Sequence, residues 1–194
     1  MLRLFWAVNL PAPLKKKLAS LQEKLKPAGA DAKWVEEENL HLTLQFLGNV
    51  DAEKAAFLIA NMQNALAGFP VFSLRLDGLG FFPGERKPRI LWAGLTGDLA
   101  SLQRLHKRVQ EANLLGGFPA EEREFRPHLT LARLRSARGA DKLAALVKEL
   151  GAAAAGLGEL PVTAVELVKS ELGRRGPVYT VLGAAPLIIS GTPY

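Results

Sequence analysis

One tetrapeptide occurs twice in the chain, with histidine and threonine at the same positions in both copies. His41-Leu42-Thr43-Leu44 lies in the first half and His128-Leu129-Thr130-Leu131 in the second, and His106 is the one other histidine. Both copies lie in alternating, strand-like runs, where side chains two residues apart share a face of the sheet. Each copy therefore predicts an imidazole beside a hydroxyl, with its leucines turned towards the core.

An imidazole and a hydroxyl on a rigid strand can bind a phosphate oxygen and exchange a proton with it. Cleavage of a phosphodiester needs one group that accepts a proton from the nucleophile and another that gives one to the leaving oxygen. Two imidazoles titrate in the right range for both roles. We therefore predict that His41 and His128 form an acid-base pair and that Thr43 and Thr130 contact the substrate.

Two other interpretations of the histidines are weaker. A single histidine on a strand is more often an incidental polar residue, but recurrence of histidine and threonine in register, in a chain with three histidines, favours a paired site. A zinc site needs three or four ligands, and neither copy has a carboxylate or a second histidine at ligand spacing. We predict no metal.

The composition limits the classes of protein. The 194 residues are 48% hydrophobic, enough for a buried core, and no cysteine is present for a disulfide, a thiolate nucleophile or a cysteine-ligated zinc. No apolar run is long enough to span a membrane, and the N-terminus has the pattern of a strand rather than a signal peptide. We therefore expect a cytoplasmic protein, and no obligate protein partner is evident from the sequence. A net charge of +6 fits a polyanionic partner, but also an ordinary basic surface.

The pattern of apolar residues predicts strands and helices in mixed order. Strands are expected at residues 2–10, 39–47, 71–79, 89–95, 125–134, 162–172 and 178–182, and helices at 14–25, 55–66, 102–109 and 142–150. Asp51 and Asp98 are candidate N-caps, and residues 151–158 are expected to be a loop. Because the order is not a strict βαβ alternation, the sequence predicts an α+β fold with mainly antiparallel sheets.

The flanks of the two motifs are specific enough to indicate a family. The matching pieces cover nearly the whole chain: residues 3–8, 38–44, 46–48, Trp92, 125–133, and 170–172 before Tyr179. With them the chain resembles the two-histidine (2H) phosphoesterases, and within these the bacterial and archaeal RNA 2′,3′-cyclic phosphodiesterases once called 2′-5′ RNA ligases.

This resemblance implies a fold and a reaction. The fold is one domain over residues 1–194, bilobal and pseudo-two-fold, with two mainly antiparallel sheets flanked by helices and one His-x-Thr strand from each lobe at a central cleft. The reaction is hydrolysis of RNA 2′,3′-cyclic phosphate ends to 2′-phosphomonoesters without a cofactor. We assign His41 as general acid and His128 as general base, although the sequence does not fix which does which.

The resemblance also implies that Arg133 binds the terminal phosphate. Strict alternation would put Arg133 on the opposite face from His128, so the strand must end or bulge there, or Arg126 takes the role. Phe46 occupies the position in the first motif that Arg133 occupies in the second. Phe46 or Trp92 could stack on a terminal base, although core packing is the commoner role of such residues.

The third histidine and two runs of basic residues lie outside the repeated motifs. His106, on a helix among cations, is expected to be structural or solvent-facing. Residues 15–17 and the pair Arg174 and Arg175 are charge runs, of which the arginine pair is the better candidate for an RNA-backbone contact. The alternatives to a hydrolase are an ATP-independent RNA ligase, a non-catalytic RNA-binding module and a 2H enzyme acting on a small cyclic nucleotide.

Overall fold

The computed structural model describes residues 1–121, 123–154, 156–173 and 176–189. In these segments nine strands and four α-helices follow one another along the chain. They are β1 (Leu2–Asn9), α1 (Ala12–Leu25), β2 (Ala32–Trp34), β3 (His41–Val50), α2 (Lys54–Leu66), β4 (Phe72–Phe82), β5 (Ile90–Gly97), α3 (Leu99–Leu115), β6 (His128–Leu134), α4 (Ala140–Ala154), β7 (Glu159–Val162), β8 (Ala164–Leu172) and β9 (Pro177–Pro186).

The strands form one antiparallel sheet in the order β7-β4-β5-β6-β3-β1-β8-β9, and β2 pairs with the end of β6. This confirms the predicted α+β class. The two expected sheets are the two four-stranded halves of this order. They are hydrogen-bonded to each other where β3 meets β6, at the pair Leu42 and Leu129. The two motif strands are therefore direct neighbours at the centre of the sheet.

The main core lies between the sheet and the helices. The four motif leucines are buried there, together with the apolar stripes of α1 and α3. The half-buried His41 and Thr43 alternate with these leucines and so belong to the other side of the sheet. We call that side, defined by the two histidines and two threonines, the motif face. A second, small apolar cluster of Phe5, Ala7, Val168 and Tyr179 lies beside it.

Most predicted elements are present, with local differences. The strands β2 and β7 were not predicted, since β2 has only three residues and β7 contains Pro161. The loop predicted at residues 151–158 begins later than expected. Helix α4 continues to residue 154, because alanines are the best helix formers.

Of the two predicted N-caps, Asp98 caps its helix and Asp51 does not. Asp98 caps α3, accepting a hydrogen bond from the Ser101 amide at 2.9 Å. Asp51 does not cap α2, which begins at Lys54 after Glu53 without a side-chain cap. Arg174 and Arg175 lie outside the described residues. Within those that are described, no helix is long and apolar enough to cross a membrane.

Candidate active site

The two motifs face each other across the junction of β3 and β6. Leu42 lies opposite Leu129 in this antiparallel pair. The same register, carried one residue in either direction, sets His41 across from Thr130 and Thr43 across from His128. Cross-strand neighbours of this kind lie about 5 Å apart and on one face of the sheet. This register predicts a compact square of two imidazoles and two hydroxyls.

A β-bulge follows each motif at the same position. Between β1 and β3 the register shifts so that Leu44 is the extra residue, and between β5 and β6 the extra residue is Leu131. A bulge reverses the alternation of side chains that follow it. As a result, Phe46 and Arg133, each five residues after its histidine, return to the motif face, and both are exposed. This is the bulge that a phosphate-binding role for Arg133 requires.

Both histidines are oriented by a main-chain carbonyl two residues earlier. The Nδ1 atom of His41 lies 2.7 Å from the Asn39 carbonyl oxygen, and Nδ1 of His128 lies 2.7 Å from that of Arg126. Because a carbonyl only accepts, Nδ1 must carry the hydrogen in each ring. The proton-exchanging atom is therefore Nε2 in both, and His41 Nε2 lies 2.9 Å from the Thr43 hydroxyl.

The two arginine candidates have different surroundings. The Arg126 side chain is mostly exposed and pairs with Glu124 at 3.1 Å, so its link to the site is the carbonyl that orients His128. Arg133 returns to the motif face after the bulge, and its charge adds to the lowering of the pKa of His41 and of His128 by burial. Burial raises the pKa of Tyr179, and the charge of Arg133 partly opposes this rise.

The surroundings of the histidines favour their neutral forms. The His41 ring packs against Phe5, with centroids 4.9 Å apart, and against Tyr179 at 5.4 Å. The pKa of His41 is lowered to about 4, mainly by this burial; the Asn39 hydrogen bond opposes the lowering, and the charges of Lys15, Arg133 and His128 add to it. Burial also lowers the pKa of His128. The pair is neutral in the free protein near pH 7.

Lys15 and Tyr179 are site residues that sequence reasoning missed. Lys15 belongs to the charge run at residues 15–17, but its Nζ atom donates to the Glu38 carbonyl at 2.8 Å, beside the first motif. Burial lowers the pKa of Lys15, while Glu166, Glu38 and Glu37 raise it. The available signal was its place next to Leu14 on the apolar stripe of α1. Tyr179 offered only its family match, since the rings that it contacts, those of Phe5 and His41, are distant in sequence.

The two aromatic candidates differ in exposure. Phe46 is 55% exposed on the motif face, with its ring 5.6 Å from that of Phe5. Trp92 is half-buried and lies flat on Gly80, where an added Cβ would stand 2.3 Å from the indole. Phe82 stands between Trp92 and His128, at 5.2 and 4.9 Å from their ring centroids. Phe46 therefore offers an open ring, whereas Trp92 is part of the packed wall beside His128.

His106 lies on α3 and takes no part in the square of motif side chains. Its ring stacks on Phe125, with centroids 3.9 Å apart and planes 6° apart. Across the described ranges, no group of three or more His, Cys, Asp or Glu side chains could hold a metal ion. The charged groups that act on His41 are cationic, which suits an anionic ligand such as a phosphate.

Two oriented imidazoles with hydroxyls and a nearby guanidinium define a candidate phosphoesterase site. The comparisons agree with that class. The model of the family described as LigT like Phosphoesterase matches residues 8–92 and 96–179, so that each matched stretch contains one motif, and the chain belongs to this family.

Individual relatives cover nearly the whole chain. An Aeropyrum pernix protein called RNA 2′,3′-cyclic phosphodiesterase is 36% identical over 90% of this chain and 97% of its own length. The crystal structure of a Thermus thermophilus protein aligns with a TM-score of 0.76 at 31% identity, covering 97% of this chain and 99% of that one. Escherichia coli LigT complexed with 3′-AMP aligns with a TM-score of 0.75 at 28% identity, covering 96% and 98%.

Proposed function

We propose that this protein hydrolyses the 2′,3′-cyclic phosphate end of RNA to a 2′-phosphomonoester, with His41 and His128 as its acid-base pair. The observation that carries the proposal is the facing arrangement of the two motifs across β3 and β6, with both imidazoles presenting Nε2. Several relatives at similar identity, including the Aeropyrum pernix protein, bear the name RNA 2′,3′-cyclic phosphodiesterase.

The cyclic phosphate would bind between the motifs. The hydroxyls of Thr43 and Thr130 and the guanidinium of Arg133 can donate hydrogen bonds to its non-bridging oxygens. As water attacks, negative charge builds up on these oxygens, and donors that are already oriented stabilise it without reorganisation. Arg126 is the second choice for this role, because its side chain pairs with Glu124.

The two imidazoles would divide the proton transfers. In our assignment, His128 Nε2 accepts a proton from the attacking water, and His41 Nε2 gives one to the leaving ribose oxygen. In the free protein His41 is the more strongly neutral partner, with a pKa of about 4. Its role as the acid therefore requires the bound phosphate anion to raise that pKa, as an adjacent negative charge does.

A substrate with sulfur at the bridging 3′ position tests these roles. A thiolate leaves without protonation, because its pKa is much lower than that of an alkoxide. This substrate should restore activity to the His41→Ala variant and leave His128→Ala inactive. Restoration of His128→Ala alone would reverse the two roles.

Phe46 is the better candidate for contact with the terminal base. Its exposed ring lies on the motif face, where a base could stack on it without sequence preference. Trp92 would then support the wall beside His128. A Phe46→Ala variant should raise KM for a cyclic-ended oligonucleotide, with kcat changed less.

Product analysis distinguishes the candidate functions. A defined RNA carrying a 2′,3′-cyclic end is incubated with the protein, with and without an oligonucleotide bearing a 5′-hydroxyl. Conversion to a phosphomonoester supports the proposal, whereas joined product with no hydrolysis supports the ligase. Binding without conversion indicates a non-catalytic module. Turnover of a cyclic mononucleotide as fast as that of the oligonucleotide would point to a small-molecule enzyme.

A further inference from the structure

The β-bulge at Leu131 is contacted by a glutamine from the helix side of the sheet, away from the motif face. Gln22 lies on α1, is 3% exposed, and donates through Nε2 to the Leu131 carbonyl at 2.9 Å and to the Val35 carbonyl at 2.9 Å. The Val35 amide also donates to the Leu131 carbonyl, at 2.9 Å. One amide group thus ties the bulged residue to the segment that follows β2.

The Leu131 carbonyl needs hydrogen-bond donors from outside the β5–β6 pair. Leu131 is the extra residue of the bulge, so the register with β5 passes from Ala132 to Thr130 without including it. A buried carbonyl without a partner is costly, and the bulge is stable only where something else satisfies it. Gln22 and the Val35 amide supply the donors from outside the β5–β6 ladder.

We propose that Gln22 is a positioning residue for Arg133, an inference that rests on the phosphate-binding role proposed above. Without the bulge, strict alternation would turn Arg133 towards the buried helices. By fixing the Leu131 carbonyl, Gln22 holds the bulge at one position in β6. It thereby sets the side of the sheet and the angle from which the guanidinium meets the terminal phosphate.

The first motif has a counterpart of this arrangement. Leu44 is the extra residue of the β3 bulge, and its backbone acts on His106 of α3, where burial lowers the imidazole pKa and the Leu44 backbone partly opposes that lowering. Each bulge carbonyl therefore interacts with a side chain from a helix packed behind the sheet. The bulge at Leu131 comes two residues before Arg133, and the bulge at Leu44 comes two residues before Phe46.

Kinetics of Gln22→Met test the proposal, because methionine keeps the volume and removes both donors. We expect KM for a cyclic-ended oligonucleotide to rise on the order of tenfold. In a background of Arg133→Ala, the same change should have no further effect on KM, because the residue that it positions is already absent. A loss of stability alone would not produce this dependence on Arg133.

Two controls separate positioning from general damage. Gln63→Met removes a glutamine that donates to a β9 carbonyl, that of Ala184 at 2.8 Å, away from the bulge. Leu18→Val weakens the core contact of the same helix and leaves the amide intact. Both variants should retain the wild-type KM. If Gln22→Met does not fold, Gln22→Asn, whose shorter amide cannot span both carbonyls, replaces it.

The outcomes for the two residues are distinguishable. If Arg133→Ala has no effect on KM, the proposed phosphate-binding role of Arg133 is wrong, whatever Gln22 does. If Arg133→Ala raises KM while Gln22→Met leaves it unchanged, the positioning role is wrong. Effects of the two substitutions that simply add in the double variant would also overturn it.

Discussion

Leu42 and Leu129 pair across β3 and β6, and this pair sets the geometry of the site. Each leucine is fully buried on the helix side, so the residues before and after it must face the other way. In an antiparallel register this brings the histidine of one motif opposite the threonine of the other. The repeat in the sequence thus becomes a pseudo-two-fold axis at the centre of the motif face.

Removal of either imidazole should abolish most of the turnover while the fold remains. We expect His41→Ala and His128→Ala each to lower kcat on the order of a hundredfold or more, because each loses one proton-transfer partner. Thr43→Ala and Thr130→Ala should cost less, since each loses an oxygen contact and no proton. Circular dichroism reports the fold, and Thr163→Ala, an exposed threonine between β7 and β8, is the control. Near-normal turnover of either histidine variant would contradict the paired mechanism.

The pH dependence of kcat/KM should show a maximum on the acidic side of neutrality. The productive free enzyme carries one proton on the histidine pair. The pKa of His41 is about 4, and that of His128 is lowered from 6.5. The population with one proton is therefore largest between the pKa of His41 and the lowered pKa of His128, and it falls about tenfold per pH unit above the latter. In the pH profile of kcat, the decrease at high pH should begin at a higher pH, because the bound phosphate anion raises the pKa of the histidines. A kcat/KM that stays constant from pH 6 to 9 would be inconsistent with this.

The same burial makes His41 a source of acid sensitivity in folding. Its pKa is about 4 in the folded protein and near 6.5 when unfolded, so the unfolded chain binds more protons between these values. Stability is therefore complete above pH 6.5 and decreases as the pH falls towards 4, by on the order of 3 kcal/mol from this group. Urea unfolding of the wild type and of His41→Gln at pH 7 and pH 4 measures it. An equal loss in both proteins would show that His41 contributes nothing.

Activity should be unchanged in excess EDTA. The positive charge that we assign to phosphate binding comes from Arg133, and no metal-ligating cluster exists within the described segments. Turnover of a cyclic-ended oligonucleotide is compared before and after chelation and dialysis. Loss of activity that a divalent ion restores would contradict the assignment.

The repeated motif could be predicted from the sequence because alternation is a local property. It identified the two strands, their buried leucines and the face shared by His41 and Thr43. The bulges could not be located in this way, since an extra residue is defined by the register with a partner strand. Alternation alone gave Arg133 the wrong face, and only its family match kept it as a candidate. Lys15 and Tyr179 join the site through packing between distant segments, which no local pattern encodes.

The product should be a single regioisomer, the 2′-phosphomonoester. Attack must be in line with departure, so the acid lies next to the leaving 3′ oxygen and the base lies on the other side of phosphorus. The pseudo-two-fold axis would allow two orientations of the ribose, but Arg133 follows the second motif and Phe46 the first, so the phosphate can bind in one sense. Chromatography against authentic 2′- and 3′-phosphate standards identifies the product. A mainly 3′-phosphate product would reverse the orientation and the acid and base roles with it.

The two halves of the site differ because Arg133 follows the second motif and Phe46 follows the first, and a substitution can remove this difference. A Phe46→Arg variant puts a cation after both motifs, and we expect it to form a mixture of 2′- and 3′-phosphates, because the phosphate then meets similar partners in either sense. Phe57→Arg, which adds the same charge at an exposed phenylalanine on α2, is the matched control and should still yield the 2′ isomer. If Phe46→Arg keeps full selectivity, the orientation is set by contacts with the ribose or base, and Arg133 contributes only affinity.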